Sequence, residues 1–227
     1  MTILHDTVFL IDVDNTLLNN DQIEIDIKDY LELQFGPQTR DRYWSIFEAL
    51  RAELSYADYL GALQRLRVEF QTDPRLPLIS SFLIDYPFAD RLYPGVFDVL
   101  GYLRSRGPTV ILSDGDAVFQ PRKIKCSGLW EAVEGRVLIY IHKEQMLDAV
   151  MNRYPAPRYV MVDDKLRILA AMKATLADRL VSVFVRQGHY AFDPKTLTDY
   201  PPADITFAGI GDLIHLDLPI ARGRLAG

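Results

Sequence analysis

Short apolar runs alternate with amphipathic segments over most of the chain, and this alternation constrains the fold more than any other feature. Buried strands are predicted at residues 7–11, 108–113, 135–141, 158–164 and 180–185, with one more short strand followed by a helix within 203–216. Helices are predicted between them at 94–107, 117–126, 143–153 and 166–176. Strands that alternate with helices form a parallel sheet covered on both faces. The sequence therefore predicts an α/β fold with a Rossmann-like, three-layer core.

Helical texture also fills the long stretch between the first and second predicted strands. Apolar residues recur at helical spacing within 43–54 and again within 59–70. A structureless loop of this length would be implausible inside a compact domain. We therefore expect an all-helical cap subdomain over residues 18–91, inserted into a core domain that comprises residues 1–17 and 92–227.

Charge limits the classes of partner. The chain has 227 residues, with 25 Lys and Arg against 31 Asp and Glu, a formal net charge of −6. Between Leu17 and Tyr93 the counts are 8 and 13, so the insertion carries a net charge of 8 − 13 = −5. A cover over a nucleic acid would be basic. The composition therefore favours a small substrate, with no nucleic-acid partner, and the chain is expected to be a monomer or a homodimer.

Several signals bear on where the protein acts. The one cysteine, Cys126, permits no internal disulfide, which fits a reducing compartment. The first residues carry no basic segment followed by an apolar stretch, so no signal peptide is predicted. No window approaches the length of a membrane span. We expect a cytoplasmic protein without a membrane partner.

Polar side chains stand at the carboxyl ends of the predicted strands, where parallel sheets bind ligands. In chain order they are Asp12, Asp14 and Thr16, then Ser113, Asp114 and Gly115, then Lys143, and last Asp163 with Asp164. Asp12 and Asp14 are two residues apart, a spacing that returns a side chain to the same face of a strand. Their burial without partners would be costly, so the set predicts a functional site at one sheet edge.

This set and its order resemble the haloacid dehalogenase-like hydrolase superfamily. The superfamily pattern is DxDxT after the first strand, Ser or Thr after the next, a lysine, and an acidic pair. The corresponding stretches here are DVDNT, ILSDG, HKEQ and VMVDD. The helical insertion stands where the family's cap stands. Asp114 departs from the pattern, because Asn is common after the Ser.

The resemblance implies a Mg²⁺-dependent phosphatase that acts on a small phosphorylated metabolite. Asp12 would be the nucleophile that forms an aspartyl-phosphate, and Asp14 would act as acid and then base. Thr16 would orient Asp12 or its loop. The dehalogenase branch lacks an acid two residues after its nucleophile, so Asp14 favours phosphoryl transfer.

The resemblance also implies a metal site and a phosphate cradle. Mg²⁺ prefers oxygen ligands, and Asp12, the backbone carbonyl of Asp14, and Asp164 would supply them, with Asp163 beside them. The phosphoryl group would be held by Ser113, Lys143 and the backbone N–H groups of Asp114 and Gly115.

Other readings stay open. A phosphomutase or phosphotransferase would share the first step, and a catalytically weak binding or regulatory module would keep the fold without turnover. Ser113 alone would also suit a helix cap, and Lys143 a helix start at the surface. Lys123 and Lys125 are rival lysines, but they fall inside a predicted helix, away from a strand end.

Overall fold

A parallel sheet forms the centre of the computed structural model, which describes residues 6–216. Its strands are β1 (Thr7–Ile11), β2 (Thr109–Asp114), β3 (Val137–Tyr140), β4 (Arg158–Asp163), β5 (Leu180–Val185) and β6 (Ile205–Phe207). They lie in the order β3-β2-β1-β4-β5-β6, and every pairing is parallel. The order reverses at β1, so the carboxyl ends of β1, β2 and β4 meet where ligands bind in such sheets. The predicted α/β class is confirmed.

Helices cover both faces of the sheet. In the described part of the chain they are α1 (Asn20–Phe35), α2 (Pro37–Leu54), α3 (Tyr59–Glu69), α4 (Leu76–Ile84), α5 (Val96–Arg104), α6 (Phe119–Cys126), α7 (Leu129–Ala132), α8 (Leu147–Arg153), α9 (Leu166–Leu176) and α10 (Pro194–Asp199). Val8 and Leu10 of β1 share an apolar core with α8 and α9. Phe9 and Ile11 share the opposite core with α5. This alternation along β1 gives the three predicted layers.

The inserted helices α1–α4 have an apolar core of their own. Ile27, Phe47 and Leu66 are fully buried there, and Phe119 of α6 packs into the same cluster from the sheet side. The two connections to the sheet run side by side, because Leu18 and Leu92 form an isolated antiparallel bridge. The cap boundaries at residues 18 and 91 stay a prediction.

Three segments differ from their predicted form. The predicted helix 143–153 is a 3₁₀ turn (Lys143–Gln145) followed by α8, and the predicted helix within 203–216 is a 3₁₀ turn (Ile210–His215). The segment after β5, which had no predicted element, contains α10. The side chain of Asp193 accepts a hydrogen bond from the N–H of Lys195, and a proline opens the helix, which explains why it forms.

Residues 1–5 and 217–227 lie outside the described residues. The prediction of no signal peptide concerns the first of these segments, and the end of the predicted core domain falls in the second. Within residues 6–216, none of the helices has the length and apolar character that crossing a membrane requires.

Candidate functional site

Asp12 follows β1 directly and is buried at the centre of the sheet edge. Its Oδ1 lies 2.5 Å from Nζ of Lys143, and the Thr16 hydroxyl donates to its Oδ2 at 3.4 Å. Asn15 turns the chain at this point with φ of +60°, a conformation that asparagine tolerates better than most residues. The turn keeps Asp12, Asp14 and Thr16 at one edge.

Lys143 stands between two carboxylates. Its side chain is 1% exposed, and besides Asp12 its Nζ contacts Oδ2 of Asp163 at 2.6 Å. Burial alone would lower the pKa of this amine. Asp12 and Asp163 outweigh burial and raise the pKa of Lys143 above its usual range, so the group stays charged. Lys143 is therefore a buried site residue in this structure and not a surface lysine.

Three buried carboxylates form a cluster beside Lys143. One oxygen from each of Asp12, Asp163 and Asp164 lies within 4.8 Å of the others. Burial raises the pKa of Asp12 to about 6 although Lys143 opposes the shift, and burial also raises the pKa of Asp164 well above its usual value. Lys143 and Lys165 both face these three carboxylates, which leaves one negative charge without compensation.

The cluster fits a hard divalent cation. Both carboxylate oxygens of Asp164 are buried and accept no hydrogen bond from any residue that the structure describes. Buried polar atoms of this kind normally have a partner, and carboxylate oxygens are what Mg²⁺ prefers. Asp12, Asp163 and Asp164 are therefore the residues that would hold it. A further ligand from the Asp14 backbone carbonyl stays a prediction.

We expect the Asp12 carboxyl to destabilise the metal-free fold increasingly as pH rises from about 4 to about 6. Because burial raises its pKa from 3.8 to about 6, the folded protein keeps a proton that the unfolded chain releases. By linkage, this makes the contribution of Asp12 to stability fall with rising pH, by up to about 3 kcal/mol. Denaturant unfolding of the wild type and Asp12→Asn in chelator measures the difference. We expect the free energy of unfolding of the wild type, minus that of Asp12→Asn, to fall as pH rises. A value that is constant or rises with pH would contradict this expectation.

Asp14 is held by a lysine that the sequence reading set aside. Nζ of Lys123 lies 2.7 Å from Oδ1 of Asp14 and 2.9 Å from Oδ1 of Asn20, the first residue of α1. Lys123 does lie inside α6, but its side chain is 1% exposed and reaches the end of β1. The expectation that it stands away from the site was wrong, because the stem of a lysine spans the gap between helix and strand end.

Gln120 is a second residue that sequence reasoning missed. Its amide nitrogen donates to Oγ of Ser113 at 2.9 Å and to Oδ2 of Asp14 at 3.3 Å. Gln120 and Lys123 are three residues apart on α6, so they share one helix face. That spacing, directly after the strand that carries Ser113, is the signal that would have found them.

The predicted phosphate cradle is only partly assembled. Ser113 is the penultimate residue of β2 and is no helix cap; Asp116 caps α6 by accepting from the N–H groups of Val118 and Phe119. The carboxylate of Asp114 accepts the backbone N–H of Lys143 at 2.7 Å.

The N–H of Gly115 donates to the carbonyl of Tyr140 at 2.9 Å, so the structure does not offer it to a phosphate. Gly115 serves close packing, since a Cβ there would lie 2.7 Å from Cβ of Gln120.

Removal of the Lys123 charge is expected to affect the site mainly through Asp14, which loses its charged partner. In Lys123→Met, we expect kcat to fall by about 10-fold to 100-fold, because Asp14 loses a charge-assisted partner. Lys125→Met is the matched control, since Lys125 is exposed on the same helix. Equal losses in the two variants would show that Lys123 does not support Asp14.

A cavity of about 340 Å³ opens above these groups, between the inserted helices and the sheet edge. Asp14, Asn15 and Asp114 line it from the sheet, and Glu24, Arg51 and Tyr56 line it from the helical insertion. The segment after β5 closes a third side with His189, Tyr190, Asp193, Thr196 and Tyr200. Asp14, whose side chain is 25% exposed, thus borders a space that suits a small ligand.

Comparison with known proteins agrees with this geometry. The family model for haloacid dehalogenase-like hydrolases matches residues 7–174. A search of curated protein sequences found no significant match. A solved structure from Burkholderia xenovorans LB400, described as a haloacid dehalogenase-like hydrolase, is 66% identical, with 94% of this chain and 97% of that chain covered and a TM-score of 0.89.

More distant structures share the fold. The L-2-haloacid dehalogenase from Xanthobacter autotrophicus has a TM-score of 0.62 at 16% identity, covering 93% of this chain and 98% of that one. The HAD-hydrolase YfnB from Bacillus subtilis, a structure bound to magnesium, has a TM-score of 0.60 at 17% identity with the same coverage. These two show the architecture alone. The family model and the 66% identical structure show more: the chain belongs to the haloacid dehalogenase-like hydrolases.

Proposed function

We propose that this protein is a Mg²⁺-dependent phosphatase that hydrolyses a small phosphorylated metabolite through an aspartyl-phosphate on Asp12. The observation that carries the proposal is a pair of carboxylates at one strand end, each held by its own buried lysine. Lys143 contacts Asp12, and Lys123 contacts Asp14. A nucleophile and a proton-transfer group are both needed for two-step phosphoryl transfer.

Asp12 attacks phosphorus in the first step, and the bond to the leaving oxygen breaks. Thr16 donates to the Asp12 oxygen that does not contact Lys143, which fixes the plane of the carboxylate. The Lys143 ammonium neutralises negative charge that develops beside Asp12, and Ser113 adds a hydroxyl at the neighbouring strand end. The product of this step is a phosphoryl group bonded to Asp12.

Asp14 carries the proton transfers. It gives its proton to the leaving oxygen and, as a carboxylate, then takes one from the water that cleaves the aspartyl-phosphate. Lys123 and Gln120 each hold one of its oxygens. These two contacts fix the position of the Asp14 carboxyl beside the cavity.

Mg²⁺ bound by Asp12, Asp163 and Asp164 would screen the repulsion between the Asp12 carboxylate and an anionic phosphoryl group. The unpartnered oxygens of Asp164 support this assignment, and the magnesium described for YfnB agrees with it. The inserted helices, which wall the cavity above Asp14, would limit access of bulk water during the first step.

Phosphate release from a panel of small phosphomonoesters and 4-nitrophenyl phosphate tests the proposal, with Mg²⁺ and with chelator. Halide release from 2-chloropropionate is assayed in parallel, because one relative of the same fold is a haloacid dehalogenase. Asp12→Asn is the control for a contaminating phosphatase. We expect phosphate release that requires Mg²⁺ and disappears in the variant, without halide release.

Other outcomes would reject the phosphatase in distinct ways. Halide release without phosphate release would make the protein a dehalogenase. Transfer of the phosphoryl group between substrates with little free phosphate would make it a phosphomutase or phosphotransferase. Phosphate binding without turnover of any ester would favour a binding or regulatory module.

A further inference from the structure

We propose that the cavity binds a second anionic group of the substrate, through Arg51 with help from Lys165. The substrate would then be a small phosphomonoester that carries a carboxylate or a second phosphate at its other end. This inference rests on the proposed function and names the substrate class of the same site.

The two cations come from different parts of the chain and meet at one aromatic ring. Arg51 belongs to α2 of the insertion, Lys165 precedes α9, and both line the cavity. The Arg51 guanidinium donates to the hydroxyl of Tyr190, and Nζ of Lys165 lies 5.0 Å from the centre of the Tyr190 ring. Tyr190 thus holds two positive charges beside the same space.

Neither cation has a close carboxylate partner. The nearest carboxylate oxygen paired with Arg51 belongs to Glu48, at 3.8 Å. Lys165 has no carboxylate oxygen within 4 Å of its ammonium group among residues 6–216. Arg167 lines the same cavity, but it is already paired with Glu144 at 2.8 Å. Arg51 is therefore the cation of this wall whose donors remain for a ligand, and Lys165, whose charge also faces Asp164, adds positive charge beside it.

The carboxylates that line the cavity are already engaged. Asp14 accepts from Lys123, Glu24 from the Tyr59 hydroxyl, Asp114 from the Lys143 N–H, and Asp193 from the Lys195 N–H. Each of these carboxylates is thereby oriented by a donor of the chain, whereas the Arg51 guanidinium has the Tyr190 hydroxyl as its close partner. An anionic group at the end of the substrate would pair with this guanidinium, which a hydroxyl would do less well.

The cavity volume suits a small substrate. At about 340 Å³ it stands at the lower end of small-molecule sites. Asp14 borders the same space, so a ligand whose phosphoryl group reaches Asp12 extends toward Arg51. The two ends of the substrate would then bind separately, with the phosphoryl group at the sheet edge and the second anionic group at the insertion.

A matched pair of substrates tests this inference. In 3-phosphoglycerate a carboxylate replaces the hydroxymethyl group of glycerol 3-phosphate, and in glycerol 1,3-bisphosphate the hydroxyl of that group carries a second phosphate. We expect the wild type to have a higher kcat/KM for either ester with a second anionic group than for glycerol 3-phosphate. Arg51→Gln is expected to reduce this preference by about 10-fold to 100-fold, the range for loss of a charged hydrogen bond. The ranking of the carboxylate and bisphosphate distinguishes the two anions.

Arg42→Gln is the matched control, because Arg42 is exposed on the same helix and pairs with Glu69 outside the cavity. It should leave the preference unchanged. Arg51 is the variant of choice, since Lys165 adjoins Asp164 and its removal would disturb the carboxylate cluster. Two results would overturn the inference. One is an equal kcat/KM for glycerol 3-phosphate and the esters with a second anionic group, and the other is an equal loss of kcat/KM on all of them in Arg51→Gln.

A binding measurement separates this inference from the proposed function. If no ester, including 4-nitrophenyl phosphate, is hydrolysed, the proposed function fails. Calorimetric titration of Asp12→Asn with 3-phosphoglycerate and glycerol 3-phosphate, in Mg²⁺, then still decides the inference. Tighter binding of 3-phosphoglycerate that is lost in Asp12→Asn/Arg51→Gln would support it. Equal binding, or no binding of either ester, would overturn it.

Discussion

Replacement of Asp12 by Asn is expected to reduce turnover by on the order of 10⁴-fold or more, because an amide cannot attack phosphorus. The change is nearly isosteric. The amide oxygen of the asparagine can still accept a hydrogen bond from Lys143 or Thr16, which both contact Asp12 in the structure. The fold should therefore persist. Phosphate release and circular dichroism on the same preparation measure both effects.

Asp6→Asn is a suitable control for this variant. Asp6 is an exposed aspartate at the opposite end of β1, so the same chemical change should leave turnover unaltered. A folded Asp12→Asn protein that keeps a tenth or more of wild-type activity would remove Asp12 as the nucleophile. If Asp12→Asn does not fold, its loss of activity does not test the nucleophile. Asp12→Glu, which keeps the carboxylate, would then be compared with the wild type for folding and for turnover.

Mg²⁺ is expected to raise the melting temperature of the wild type by about 5–10 °C at a concentration about 100 times its Kd. Binding at that level stabilises the folded state by about 2.7 kcal/mol, and a chain of this size gains about 2–4 °C per kcal/mol. The stabilisation arises because the cation compensates the buried charges of Asp12, Asp163 and Asp164. Thermal unfolding with Mg²⁺ and with chelator measures the shift.

Asp164→Asn is expected to change the melting temperature in opposite ways without and with Mg²⁺. Without metal, the variant should melt above the wild type, because a buried carboxylate without a hydrogen-bond partner is removed. With Mg²⁺, its gain should be much smaller than that of the wild type. Asp148→Asn, on the exposed side of α8, should behave as the wild type does. A Mg²⁺ shift of the same size in Asp164→Asn would place the cation elsewhere.

The strands were predictable because their signals are local. The apolar run of β1 is bounded by Asp6 and Asp12, so its ends follow from hydrophobicity alone, and the structure matches both bounds. Parallel order then brings the ends of β1, β2 and β4 together. That topology accounts for the contacts of Lys143 with Asp12 and Asp163, which lie far apart in the chain.

The rest of the site depends on how elements rotate against each other, which local patterns do not encode. Lys123 and Gln120 were missed because their role follows from the face that α6 turns toward β1. Arg51 could not be assigned, since its position depends on how the insertion lies over the sheet. Tyr190 belongs to a segment with no regular periodicity, whose short turns are set by caps such as Asp193.

The proposed mechanism requires that the phosphoryl group pass through Asp12. Rapid acid quench of the protein with Mg²⁺ and substrate, followed by mass spectrometry of the peptide that contains residues 7–18, tests it most directly. We expect an adduct with the mass of one phosphoryl group on Asp12, formed before phosphate is released and absent in Asp12→Asn. Release of 4-nitrophenol from 4-nitrophenyl phosphate without any adduct, both in the wild type and in Asp14→Asn, where hydrolysis of the adduct should be slow, would contradict it.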